Sequence, residues 1–328
     1  MKKILIITLS VMIAFLNFNC DENISPKGDL PVKYNVNLIL RGDTTLQTAY
    51  ISNLYNVEGF NLYDKKEDPA VVGASVSLKY SDSNTRYYFK DTVDLQNINT
   101  RYNTPAKYYY LKNFRPAFGK EVELNVTLPN GQKLSSKTKI PEGIYFNEEK
   151  TLPYIPGPLI GRDTSNMNIV WESSLSLAKA QKVTLPYYYR ALNGEKTKYK
   201  VNIPLNRTAL PVSNNSSDYI NTSFKNELLI DRKLFEQILQ NISAGDPAKG
   251  RYSIAPLEVE VFLFDENLTS LYSADLFFDY GFTIRNYPSD ITNINGGLGF
   301  FSSYSHVKRI IKFDPQYLLK KFGYLSEK

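Results

Sequence analysis

FGKEVELNVTLPNGQKLSSKTKIP, residues 118–141, decides the fold class. Val122, Leu124, Val126 and Leu128 are apolar, and the residues between them are polar. Successive side chains of a strand point to opposite faces, so this alternation describes a half-buried strand. Asn130-Gly131 follows, a pair suited to a short hairpin turn. The return strand runs to Ile140, and Pro141 closes it.

The same period extends outward on both sides. Tyr34, Val36, Leu38 and Leu40 share one face of VKYNVNLIL, residues 32–40. A second run, TLQTAYISNLY, ends before the charged turn DKKEDP at 64–69. Ala74, Val76, Leu78 and Tyr80 alternate again, and SDSN at 81–84 turns the chain into RYYFKD. Short strands at this spacing, with turn signals between them, spell a β-sandwich. Prolines crowd residues 141–158 and exclude a central strand, which places a domain boundary near residue 145.

Beyond it, MNIVWESS, KVTLPYYYRAL, KYKVNIPL and PLEVEVFLFDE read as strands, and the Asn- and Ser-rich stretch 206–223 as a loop. DRKLFEQILQNI, residues 231–242, is the clearest helix, with Asp231 as its cap and Gly245 and Pro247 at its end. LYSADLFFDYGF fits either strand or helix. GLGFFSSYSHVKRIIKF looks extended, and DPQYLLKKFG reads as a short C-terminal helix. Tyr 25 and Phe 18 against Trp 1 strengthen the β reading, since aromatics favour a pleated, half-buried surface.

The first residues belong to another register. Met1-Lys2-Lys3 precedes an uncharged apolar run from Ile4 to Leu16. That run is shorter than the roughly 20 residues a spanning helix needs, and it has the flanks of a signal-peptide core. Cys20, the only cysteine, stands where such a peptide is cut. The pattern resembles a bacterial lipoprotein signal over residues 1–19, with Cys20 as the lipid attachment point and residues 20–31 as a tether. Asn17, Phe18 and Asn19 depart from the usual Leu and small residues before the cysteine. Cleavage before Cys20 leaves 37 Lys and Arg against 33 Asp and Glu, a mature net charge of +4. No run of cations stands out, which argues against a nucleic-acid partner. One cysteine excludes an intramolecular disulfide.

The order of these features resembles the lipoprotein family of domain of unknown function 4249, of the Bacteroidota outer-membrane type. The segments that carry the likeness are PAVVGASV at 69–76, FGKEVELNVTLPNGQ with KTKIP, and NINGGLGFF at 293–301. Val122 stands where that family has an aromatic residue. The resemblance implies a mainly β protein of two Ig- or fibronectin-like antiparallel sandwiches. They span 32–145 and 146–328, with one inserted helix near 231–243 and a short C-terminal helix. It also implies an outer-membrane location, a lipid (palmitate) anchor, a neighbouring TonB-dependent transporter and no assigned reaction.

Chemistry is sparse. His306 is the only histidine. Ser303 and Ser305 lie beside it in an extended segment and do not converge on it as a catalytic pair would. One His with Cys20 committed to lipid makes no zinc site, and no phosphate loop is present. Neither a cofactor nor a metal is expected. Glu258 and Glu260 share a strand face, as do Asp275 and Asp279 if extended, so a glycan hydrolase with a carboxylate pair is the competing expectation. In NINGGLGFF, Gly296-Gly297 suits a tight turn, with Phe300 or Phe301 filling the second core.

The expected binding residues are Tyr108, Tyr109 and Tyr110 of KYYYL, and Tyr187, Tyr188 and Tyr189 of PYYYR. Three consecutive tyrosines on a strand cannot all enter one core, so at least one faces outward, where a ring with a polar tip suits a glycan or peptide. The sequence therefore predicts a non-catalytic binding or accessory lipoprotein, serving a TonB-dependent receptor or an extracellular glycan or peptide. Asp43-Thr44-Thr45 and Asp91-Thr92-Val93 additionally match a short O-glycosylation signal at Thr44 and Thr92.

Overall fold

Strands dominate because the alternating runs leave one apolar face each, and sheets must pair to bury it. The computed structural model describes residues 33–54, 68–94, 105–157, 165–205, 221–276 and 292–327. The leader, Cys20, the tether, the turn at 64–67, most of the 206–223 loop and Asp279 lie outside the described residues.

In chain order the first half carries β1 (Lys33–Arg41), β2 (Gln47–Leu54), β3 (Ser75–Tyr80), β4 (Arg86–Tyr88), β5 (Lys90–Asp94), β6 (Ala106–Leu111), β7 (Glu121–Thr127) and β8 (Lys133–Lys139). Next come β9 (Tyr145–Phe146), β10 (Tyr154–Ile155), β11 (Asn166–Glu172), β12 (Lys179–Arg190), β13 (Lys196–Asn202), β14 (Asn221–Ser223) and β15 (Glu227–Asp231). The remainder is α1 (Arg232–Asn241), β16 (Tyr252–Ile254), β17 (Leu257–Phe264), α2 (Glu266–Leu276), β18 (Leu298–Phe313), α3 (Pro315–Phe322) and β19 (Leu325–Ser326). The fold is mainly β, in several sheets, with three helices among the described residues.

The main sheet runs β19-β16-β12-β17-β18-β1-β2-β6-β5, with β13 and β14 on β12 and β10 on β18. A four-stranded sheet has the order β4-β3-β7-β8, and a three-stranded one β15-β11-β9. β7 and β8 form the hairpin around Asn130-Gly131, where Gly131 takes φ +84°. Val122, Leu124 and Val126 are buried, with Leu134, Ser136 and Thr138 across from them.

Buried side chains fall into two main cores. The first takes residues from Val36 to Ile140, plus Ile294 and Phe301. The second takes residues from Ile144 to Tyr324. The gap between them lies close to residue 145, yet the main sheet does not break there.

β18 explains why. Its first half lies parallel to β1, from Asn35↔Leu298 to Arg41↔Tyr304. Its second half lies antiparallel to β17, from Phe264↔Tyr304 to Leu257↔Ile311. Phe301 therefore enters the first core, and Ile311 and Phe313 the second. This corrects the expectation that NINGGLGFF fills the second core: pairing with β1 carries Phe301 beside Leu38. Three pairings are parallel (β1 with β18, β10 with β18, β16 with β19), in a fold expected to be mostly antiparallel.

Gly299 sits at this junction with φ +108°. A Cβ there would press on the Val36 carbonyl oxygen and come within 2.7 Å of the Val36 nitrogen. Only glycine lets β1 and β18 approach this closely.

The helices follow their caps. The Asp231 carboxylate accepts from Leu234 N at 3.0 Å, and Phe235, Ile238 and Leu239 face the second core. α2 takes up the ambiguous segment as far as Leu276. α3 is capped by Asp314 and closed by Gly323 in the left-handed region.

Candidate functional site

A cleft that could receive a ligand lies on the outer face of the main sheet. Val36, Leu38 and Leu40 of β1 point into the first core, so Asn37, Ile39 and Arg41 point away from it. The same alternation sends Thr48 and Tyr50 of β2, and Tyr108 of β6, to the outside. Phe300 of β18 pairs with Asn37, and Asn37 with Tyr50. Leu271 of α2 forms a wall. Together these enclose a cleft of about 660 Å³. Its lining is mostly apolar, and Asn37, Arg41, Thr48, Tyr50 and Tyr108 are its residues with polar side-chain atoms.

A fixed ionic cluster closes one end. Arg41 binds Asp43 at 2.8 Å, and the Tyr304 hydroxyl donates to Asp43 at 2.8 Å. Burial opposes the charge on Asp43, but the hydrogen bonds from Arg41 and Tyr304 hold its carboxyl below the usual range. Burial, and then the Asp43 carboxylate, push the Tyr304 hydroxyl upward. Arg41 is thus committed within the fold.

The two tyrosine clusters are not brought together. β17, β18, β1 and β2 lie between β12 and β6. In the first cluster Tyr108 and Tyr110 are half-buried, Tyr108 lines the cleft, and Lys112 Nζ lies 5.5 Å from the Tyr110 ring centre. Tyr109 is only 2% exposed. Its hydroxyl donates to Val71 O at 2.7 Å and accepts from Ala74 N at 3.0 Å, so it locks the segment before β3 and offers no ligand surface. In the second cluster all three rings are half-buried. Tyr187 stacks on Tyr199 at 5.3 Å, Tyr189 meets Tyr252 at 5.1 Å, and Lys196 Nζ lies 4.3 Å from the Tyr188 ring centre.

The residues suspected of chemistry have structural partners. His306 Nε2 lies 3.1 Å from Glu260 and its ring packs on Phe262. Glu258 pairs with Lys308 at 2.9 Å. Ser303 and Ser305 are buried and turn to the opposite face, where Ser303 reaches Asp265 and Ser305 donates to Glu142 O. Among the described residues no group of three or more His, Cys, Asp or Glu could hold a metal ion. The Thr44 hydroxyl accepts from Leu46 N, and Thr92 is half-buried on β5 opposite Tyr108.

Two buried charged side chains escaped the sequence reading. Asp265 is 3% exposed and caps α2 through Leu268 N at 2.8 Å. It also accepts from Thr138 of β8 and from Ser303 N of β18, so one carboxylate ties β8, β18 and α2 together. Lys179 is fully buried and donates to Ser174 O at 2.6 Å and Phe224 O at 3.1 Å. Burial pulls its ammonium down to about 8. The sequence does not show their burial, because Thr138 and Ser303, which hold Asp265, and Phe224, which holds Lys179, lie far away in the chain.

No protein-family model matches the chain, and a search of the curated proteins finds no match. Among the described residues no helix is long and apolar enough to cross a membrane.

Proposed function

We propose that this chain is a non-catalytic, lipid-anchored lipoprotein of the outer membrane. It would bind an extracellular glycan or peptide as an accessory to a TonB-dependent transporter. The observation that carries the binding role is the outer-face cleft. Apolar rings beside a few polar tips suit a sugar ring or a peptide side chain. Tyr108 and Phe300 supply the rings; Asn37 and Thr48 supply the tips. The anchor at Cys20 and the outer-membrane address rest on the leader pattern and on the quoted likeness to the domain of unknown function 4249 lipoproteins. The finer architecture we propose is two Ig-like sandwiches meeting near residue 145, which the two cores support, sharing β18. A glycan hydrolase is less well supported, since Glu258 and Glu260 each already face a partner across β18.

Two measurements test this reading. Wild-type protein should incorporate labelled palmitate in cells, and Cys20→Ser should not; label persisting in that variant overturns the anchor. On glycan and peptide arrays, wild type should retain ligands that Ile39→Arg loses. Ile39 is 40% exposed, so the added bulk blocks the cleft without entering a core. Identical array profiles would remove the cleft from the proposal.

A further inference from the structure

The second tyrosine cluster belongs to a different kind of surface. β12 and β13 pair as Arg190↔Lys196, Tyr188↔Lys198 and Pro186↔Lys200. Paired residues lie on one face of a sheet. Lys196, Lys198 and Lys200 therefore form a row beside Tyr188 and Arg190, and all three lysines are exposed. Lys196 and Lys198 lie 4.3 Å and 5.8 Å from the centre of the Tyr188 ring. Two carboxylates moderate this charge: Glu327 holds Lys196 at 2.8 Å, and Glu195 sits in the turn. The face stays positive.

The turn that joins the strands is built, not loose. Ala191 N donates to Glu195 O at 2.9 Å, Gly194 N to Ala191 O at 3.0 Å, and Glu195 N to the Asn193 side chain at 3.0 Å. Gly194 takes φ +87° to close it. This fixed turn presents Leu192, which is 85% exposed, more than any other large apolar residue among the described ones. One exposed leucine is ordinary. A leucine held at the apex of a hairpin whose flank is a row of cations is a specific arrangement.

We propose that the β12–β13 hairpin docks on an anionic phospholipid bilayer. Lysine and arginine ammonium and guanidinium groups meet lipid phosphates, Leu192 enters the acyl boundary, and Tyr188 sits at headgroup level. An acidic polysaccharide would use the cations and the ring but gives Leu192 nothing to bury. A bilayer uses all three. The inference deepens the proposed membrane location by giving the folded part its own contact with the bilayer, and it does not need Cys20 to be lipidated.

Co-sedimentation with vesicles tests it. The chain is used from residue 20 onward with Cys20→Ser, since everything from Lys33 on forms one compact unit. It should sediment with phosphatidylglycerol–phosphatidylcholine vesicles and far less with phosphatidylcholine alone, and salt should weaken the binding. Removing Lys198 and Lys200 as Lys198→Gln/Lys200→Gln should lower partitioning roughly fivefold per charge. Leu192→Ser should lower it further with no change in melting temperature. Equal sedimentation with both vesicle types, or variants that bind like wild type, overturns the proposal. So does retention on heparin without vesicle binding, which assigns the face to a polysaccharide. Palmitate labelling decides the anchor separately, so the two readings can fail independently.

Discussion

Gly299 shows how one residue fixes a distant pairing. Its φ of +108° is costly for any residue with a Cβ, and its neighbour is the β1 backbone itself. Gly299→Ala should therefore lose about 2–4 kcal/mol of stability by chemical denaturation. Gly131 has a similar φ of +84° but nothing within 4 Å, so Gly131→Ala should lose only about 1–2 kcal/mol. Equal losses would mean that φ alone, and not the close approach to Val36, governs Gly299. Lys179 makes a different test. Its folded pKa of about 8 lies below the ordinary 10.5, so the unfolded chain binds more protons between these values. Stability from this group is then lost as pH falls through 8 and is regained toward 10.5. Measured against Lys179→Met, wild-type unfolding free energy should rise across pH 8 to 10.5. A flat difference would show that burial leaves the ammonium unperturbed.

At the level of elements, α1 depends on its cap. Asp231 is the residue where β15 ends, and its carboxylate starts the helix by accepting from Leu234 N. Asp231→Ala should cost about 1 kcal/mol, and Asp231→Ser markedly less, read as shifts in thermal midpoint. Equal losses would place the effect outside the cap. This helix and the β7–β8 hairpin were legible in the sequence because their signals are local: a cap, a period and a turn dipeptide. Period 2 also foretold that Tyr108 and Tyr109 face opposite ways. It could not say which faced the core, because that depends on which strand β6 joins. The basic row on β13 was hidden for the same reason. Lys196, Lys198 and Lys200 alternate with Thr197 and Tyr199, and only the pairing with β12 sets them beside Arg190.

At the level of the whole molecule, the boundary expected near residue 145 came with no sign of β18, the strand that lends residues to both cores. Alternation in 298–313 reports faces and not partners, so parallel pairing of β18 with β1, far away in the chain, leaves no local trace. That pairing has a consequence for folding. β18 supplies Phe301 to the first core and Ile311 and Phe313 to the second, and Asp265 fastens β8 to the same strand. Losing either core frees one half of β18 and removes partners from the other. The two halves should then unfold together. Leu124→Ala empties space in the first core, where Leu124 is 1% exposed, and should cost about 2–5 kcal/mol. Trp171, the only tryptophan, is buried in the second core and reports on that half alone. In Leu124→Ala its fluorescence midpoint should fall by as much as the calorimetric midpoint, with a single transition. If Trp171 keeps its wild-type midpoint while the first core melts early, β18 does not couple the halves.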